Sequence, residues 1–392
     1  PELMTCPSCG EKGILDIVYD YSEVKSFLSK ETLKKDNDNS MWRYRALMPI
    51  QGEGLSDFLR IGWTPLYRSL RLGRQIGLDT LYIKDDGLNP TGSLKDRASG
   101  VAVAKAIELG YDTIACSSTG NAASSCAGNA ARMGLKTVIF VPERAPIGKV
   151  AQLLIFGANV ISVKGDYRQT FELSKAAIEK WGFYNRNAGI NPVMTEGKKT
   201  VALEIAEQLN WNPTDWVAIS VGDGCTIGGV YNGFYDLLQL GMIDRIPRIL
   251  GVQSTGCSPF VDADHTDGML KPTPENTIAD SIAVGVPRNP IKAQRAVRDS
   301  NGAWIAVSDE DILDAMRLLG RTEGVFGEPA GVTATAGVKA AVASGIIKSH
   351  ESVTVVSTGS GLKDVKNAMV AAGEPFKCEP DIKALEASGR IR

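Results

Sequence analysis

Histidine is scarce in this chain: two occur in 392 residues, His265 in Asp262-Ala263-Asp264-His265-Thr266-Asp267 and His350 in Lys348-Ser349-His350-Glu351. Neither belongs to a motif, so Ser-His hydrolysis and His-ligated metal chemistry lack their usual donors. Long apolar runs are also missing. No stretch approaches the roughly 20 residues of a membrane span, and no basic-then-apolar signal pattern opens the sequence, so a cytoplasmic protein without a membrane partner is expected. Neither sign of charge dominates: 43 basic residues face 45 acidic ones, the net charge is −2, and no long single-sign block occurs. That balance gives no reason to expect nucleic acid as a partner. The seven cysteines, Cys6, Cys9, Cys116, Cys126, Cys225, Cys257 and Cys378, are odd in number and scattered. Reduced thiols fit this better than a secreted disulfide framework. Cys6-Pro7-Ser8-Cys9-Gly10 has the form of one zinc knuckle, but no second Cys-x-x-Cys follows. No metal is expected, and Cys6 and Cys9 stand only as weak candidates.

What is present is a βα rhythm. Strands are predicted at 81–84, 113–116, 137–141 and 159–163, with helices between them that end near Gly110, Gly134 and Gly157. Such alternation implies α/β architecture with a mostly parallel sheet, and 392 residues exceed what one core usually supports, so two domains are expected. Residues 11–60, with Tyr19, Tyr21, Trp42 and Tyr44, read as an N-terminal cap. Ligands in such folds bind at the carboxyl ends of strands.

Four motifs fall at such places. Gly87-Leu88-Asn89-Pro90-Thr91-Gly92-Ser93-Leu94-Lys95-Asp96-Arg97 delivers a lysine to the start of a helix predicted over 95–109. The positive end of the helix disfavours an ammonium, so the amine is activated as a nucleophile, although most loop lysines are merely solvated. Ser117-Ser118-Thr119-Gly120-Asn121-Ala122-Ala123-Ser124 follows a strand and suits either an anion-binding nest or a Ser/Thr helix cap. Strand 216–221, the turn Gly222-Asp223-Gly224-Cys225-Thr226 and a following helix make a phosphate cradle. It lacks a P-loop ending and dinucleotide spacing, so a single monoester phosphate fits it better. Asp223 is expected to point away from that phosphate and cap the helix. The last motif, Thr358-Gly359-Ser360-Gly361-Leu362-Lys363-Asp364, follows strand 353–357.

Taken in order, these motifs resemble the threonine synthase family of fold-type II enzymes, which use pyridoxal 5′-phosphate. Gly62-Trp63-Thr64-Pro65-Leu66 and Gly327-Glu328-Pro329-Ala330 extend the resemblance, while Ser360 stands where the family commonly has histidine. The resemblance implies that Lys95 carries the cofactor as a Schiff base. It implies that Ser118, Thr119, Gly120 and Asn121 hold the substrate carboxylate, with Asn121 also bonding the cofactor's 3′-oxygen. The phosphate falls to Gly222, Asp223, Gly224, Cys225 and Thr226, and the pyridine nitrogen to Thr358. A hydroxyl there leaves the ring largely unprotonated, which favours elimination and replacement over transamination. Glu328 lies near the ring in the family, but a plain acid at a helix N-terminus is its simpler role.

The implied architecture is a large cofactor-binding domain of residues 1–97 and 200–392, a small mobile substrate domain of residues 98–199, and a homodimer. The implied activity is threonine synthase-like elimination and hydration on a small amino acid. Alternatives are a serine/threonine ammonia-lyase, a β-replacement synthase, or a non-catalytic binding paralogue. One departure bears on the substrate. Where the family binds the phosphate of O-phosphohomoserine, this chain has Ala122, Ala188, Gly189 and Met194, with only Thr195, Lys198 and Lys199 nearby. Losing a bidentate arginine removes charge-assisted bonds worth roughly 1.5–3 kcal/mol each, so a different substrate is expected.

Overall fold

The computed structural model describes residues 4–10, 13–52, 54–145, 147–165, 167–266 and 268–391. Its strands are β1 (Leu66–Arg68), β2 (Thr80–Asp85), β3 (Thr113–Ser117), β4 (Lys136–Pro142), β5 (Asn159–Val163), β6 (Tyr184–Asn185), β7 (Trp216–Ser220), β8 (Arg248–Ser254), β9 (Ala303–Val307) and β10 (Ser352–Ser357). They form a six-stranded sheet in the order β1-β2-β10-β7-β8-β9 and a four-stranded sheet in the order β5-β4-β3-β6. Between these ten strands every pairing is parallel except the antiparallel edge β1–β2. The strands expected from the sequence are all present, each within a residue or so of its expected ends.

Both faces of the six-stranded sheet are covered, which is why its strands read as continuous apolar runs. Alternate side chains of β7 enter opposite cores: Val217 and Ile219 on one side, Trp216 and Ala218 on the other. The helices that matter for the site are α1 (Lys95–Glu108), α2 (Asn121–Arg132), α3 (Val193–Gln208), α4 (Cys225–Gln239) and α5 (Pro329–Ala343). Alanine- and valine-rich α5 fills the second core through Val332, Ala334 and Val338, while α3 and α4 fill the first through Leu203 and Phe234. A fully buried side chain of this kind contributes about 1.5–3 kcal/mol. α1 stops where Gly110 turns to φ +76°, close to the expected end.

Helix α3 is wedged between α1 and α4, and glycine makes the wedge possible. A Cβ on Gly197 would lie 2.3 Å from the Arg97 carbonyl of α1, and one on Gly233 of α4 would lie 2.5 Å from the Lys199 carbonyl of α3. The three backbones therefore approach directly, which brings the first turns of α1 and α4 to one place. The N-terminal segment lies against the same unit. Tyr19 donates to Glu196 at 2.6 Å, and Trp42, Tyr44 and Ile61 are buried in the shared core. Cys6 and Cys9 occupy a turn in which the amides of Cys9 and Gly10 donate to the Cys6 carbonyl. Among the described residues no group of three metal-binding side chains forms there or elsewhere.

Candidate active site

The loop before Lys95 is fixed from both sides. The Leu94 amide donates to the Thr358 carbonyl at 2.9 Å, and the Ser360 amide donates to the Gly92 carbonyl at 2.9 Å, so the first and last motifs form one unit. Directly after the lysine, Asp96 accepts from the Thr91 amide and hydroxyl, both at 2.8 Å, and from Asn129 at 2.9 Å. Arg97 then bridges Asp86, at 2.7 and 2.8 Å, to Glu204 of α3, at 2.8 Å through its Nη2. Lys84 adds a 2.7 Å bond to Glu204, and all the side chains of these ion pairs are fully buried. Burial alone would raise the Glu204 carboxyl, but Arg97 and Lys84 overcome it and hold it at about 2. Arg97 is raised in turn, whereas burial and the neighbouring Arg97 keep Lys84 below its ordinary value. Arg97 is thus the main counter-charge of Glu204, while Lys84 also donates to the Thr64 carbonyl at 2.7 Å and to Gln208 Oε1 at 2.9 Å. The Lys-Asp-Arg sequence is a lysine with its own braces.

Lys95, Ser118, Thr119, Gly120, Asn121, Gly222, Asp223, Gly224, Cys225, Thr226 and Thr358 all line one cavity of about 440 Å³. Four helices begin at this cavity, α1, α2, α4 and α5, and no side chain caps any of them. The Asp96 and Arg97 amides of α1 donate to the Ser93 and Leu94 carbonyls, at 3.2 and 3.1 Å, whereas the first amides of α2 and α4 are free to bind anions. The Ser117–Thr119 stretch therefore does not serve as a helix cap, since the residue before α2 is Gly120 and Ser118 instead accepts from the Gly120 amide at 3.2 Å.

In the Gly222–Thr226 turn the glycines are required by space. Gly224 has φ +88° and a Cβ there would sit 2.6 Å from the Asn289 carbonyl, while one on Gly222 would sit 2.9 Å from Ile282 Cα. Asp223 does not cap α4. Arg288 holds it bidentately, at 2.9 and 2.8 Å, and the Arg288 amide donates to it at 3.2 Å. The sequence offered no sign of this partner, which lies 65 residues away.

The cavity is electrostatically unusual. Burial first, then the nearby Lys198 and Arg186, outweigh Glu328 and Cys225 and push the Lys95 ammonium down to about 8. The expected lowering is there, with burial and like charge as its causes. Burial raises the Cys225 thiol, yet Lys198, Thr195 and Lys292 together hold it below its ordinary value. Glu328 is pushed up to about 7, by burial first and then by Asp280, against the pull of Lys95 and a bond from Asn121.

Three of these groups were missed or undervalued. Arg186 is 2% exposed and donates through Nε and Nη2 to the Ser99 hydroxyl at 3.1 and 3.0 Å. Among the described residues no carboxylate pairs with it. Nothing in the local sequence marks it, because β6 is only two residues long and Arg186 follows it directly. Lys198 lines the cavity, whereas its neighbour Lys199 is consumed by Glu196 and Asp236 at 2.6 and 2.7 Å and cannot serve there. Met194 lies wholly in the core. Glu328 does sit at the N-terminus of α5 but makes no capping bond; it accepts from Asn121 Nδ2 at 2.6 Å.

The donor set suits pyridoxal phosphate: an amine of lowered basicity at one wall, an uncapped helix with a glycine cradle at another, and a threonine hydroxyl lining the same space. Comparison with known proteins agrees. The family model described as pyridoxal-phosphate dependent enzyme matches residues 58–359. The threonine synthase of Methanocaldococcus jannaschii is 40% identical over 388 residues, covering 98% of this chain and 94% of the relative. That of Methanosarcina acetivorans is 38% identical over 387 residues, covering 98% and 93%. In fold, the chain is similar to diaminopropionate ammonia lyase from Escherichia coli, with TM-score 0.71 and 18% identity over 88% of this chain and 92% of that one. It is also similar to threonine deaminase isoform 2 from Solanum lycopersicum, with TM-score 0.69 and 21% identity over 86% and 95%. With a lysine-bearing cavity built for this cofactor and relatives matching nearly end to end, the chain belongs to the pyridoxal-phosphate dependent enzymes and, among them, to the threonine synthase family.

Proposed function

We propose that the chain is a lyase of the threonine synthase type, acting by elimination and replacement on an amino acid whose side chain ends in an anion. The observation that carries this reading is that the Lys95 amine, the uncapped start of α4 and an unpaired buried guanidinium, Arg186, line one cavity. When bound, pyridoxal phosphate supplies the electron sink that acidifies the Cα–H of an attached amino acid. Lys95 would hold it through its amine, whose basicity burial and Lys198 lower to about 8, and the same amine would serve as the base at Cα. The amides of residues 222–226 would hold its phosphate, and the Thr358 hydroxyl would hold its pyridine nitrogen. Ser118, Thr119, Gly120 and Asn121 bind the substrate carboxylate at the start of α2. Arg186 and Lys198 hold the anion on the substrate side chain as it leaves.

Residues 98–199 act as a small mobile domain over a larger body of residues 1–97 and 200–392. Support comes from the four-stranded sheet lying wholly within the former. A homodimer is supported by exposed apolar residues beside the last motif, Phe326, Leu362 and Val365, and reduced cysteines support a cytoplasmic setting.

A second reading, an ammonia-lyase acting on serine or threonine, is favoured by Met194 lying in the core and by Ala122 and Ala188 at the cavity wall. Turnover of O-phosphohomoserine, O-phosphoserine, serine and threonine by the holoenzyme separates the two. Phosphate release from a phosphorylated amino acid supports the first reading; 2-oxo acid from serine or threonine alone supports the second.

A further inference from the structure

Glu328 and Asn121 come from distant parts of the chain, 207 residues apart, and meet over Gly359. A Cβ on Gly359 would lie 2.3 Å from Glu328 Oε1 and 3.4 Å from Asn121 Nδ2, so this glycine leaves room for the pair. Glu328 is 4% exposed, spends nothing on capping α5 and faces the cavity together with Lys95 and Thr358. Asn121 Nδ2 donates to Glu328 Oε1 at 2.6 Å, and both side chains are buried.

We propose that Glu328 is a positioning residue: ionised, it orients the Asn121 amide for cofactor binding, and on protonation it releases that amide. This rests on the reading of the cavity as the pyridoxal phosphate site. An ionised carboxylate can only accept, so it dictates that Nδ2 of Asn121 turns toward it, which fixes where the second Nδ2 hydrogen and Oδ1 point. A protonated carboxyl can instead donate to Oδ1, and the amide is then free to reverse. The groups facing Glu328 are Lys95 of α1, Asp280 from the 280–282 turn, Lys149 from the helix Ile147–Ile155 and Lys363 from the 361–364 turn. Asp280 is itself ion-paired with Lys149. Burial and Asp280 outweigh the cations and push Glu328 up to about 7, so the change falls near neutral pH.

The test is the affinity of the protein for pyridoxal phosphate, read by visible absorbance from about pH 6 to about pH 8.5, a span that brackets the raised carboxyl. Four proteins are compared: wild type, Glu328→Gln, Asn121→Ala and the double variant. Glutamine still accepts from Nδ2 but does not titrate. The wild type should lose about tenfold in affinity toward the acid end, the worth of one hydrogen bond. Glu328→Gln should lose less than half as much on the logarithmic scale, and with Asn121→Ala in place the Glu328 substitution should change nothing further. A Glu328→Gln protein that keeps the full acid loss, or an effect of Glu328 that persists without Asn121, overturns the proposal. A wild type that binds no pyridoxal phosphate at any pH overturns the cofactor reading instead.

Discussion

Lys95 and Lys198 are two cations lining one cavity, and their repulsion, added to burial, brings the Lys95 ammonium down to about 8. Replacing Lys198 with methionine removes the repulsion at similar volume. Because the neighbouring positive charge disfavours the ammonium, its loss raises the Lys95 pKa, and more alkali is needed to free the amine. The rate at which the cofactor-free protein takes up pyridoxal phosphate, followed by visible absorbance, should therefore have its rising limb against pH moved up by about one unit. A profile that stays in place would show that Lys198 does not act on Lys95.

Gly224 needs both a left-handed backbone and an empty Cβ position, whereas Gly134, at φ +71°, has nothing within 4 Å. Gly224→Asp adds a carboxylate beside the expected phosphate as well as strain. Its pyridoxal phosphate affinity should fall by at least about tenfold, a loss of one charge-assisted contact or more. Gly134→Ala serves as the control: it should cost about 1 kcal/mol of stability and leave cofactor affinity unchanged. Equal affinities for the two variants would remove the turn from the site.

The Arg97–Glu204 pair should dominate the stability of the lysine loop. Glu204→Gln leaves part of a buried guanidinium uncompensated, a loss of about 3–5 kcal/mol by denaturant titration. The pH dependence has a definite sign. Glu204 is held at about 2, below its ordinary value, so its contribution is complete above the usual carboxylate range and fades as pH falls toward about 2. Wild type and Glu204→Gln should accordingly converge in stability under strong acid.

Arg186 should trade stability for function. Buried and, among the described residues, bonded through its side chain to a hydroxyl with no carboxylate beside it, Arg186 carries a charge that is a cost in the free protein, so Arg186→Met should raise the unfolding midpoint. The same change should cut kcat/KM for an anionic substrate by about tenfold to a hundredfold and leave a neutral amino acid unaffected. A uniform loss across both substrates would assign Arg186 to the fold alone.

Much of this was legible because it is local. The βα rhythm follows from apolar runs punctuated by glycine, and the lysine loop and glycine turn announce themselves by residues whose small size or backbone freedom the chemistry needs. What could not be read were partners that only folding brings together. Asp223 reads as a helix cap because its partner Arg288 is remote in sequence, and Lys199 reads as available because nothing local shows that Asp236 of α4 claims it. Arg186 carried no pattern at all, since a lone arginine after a two-residue strand has no periodicity to belong to. Glu328 was read as an ordinary helix-start acid, and its bond to Asn121 depends on two sheets meeting at the cavity.

The most direct test of the account is borohydride reduction of the protein loaded with pyridoxal phosphate, followed by peptide mass spectrometry. Reduction fixes the cofactor to whichever amine holds it. The label should fall on Lys95, and Lys95→Ala should retain none; a label on Lys198 or another lysine, or no label on protein that is fully folded, would contradict the central claim.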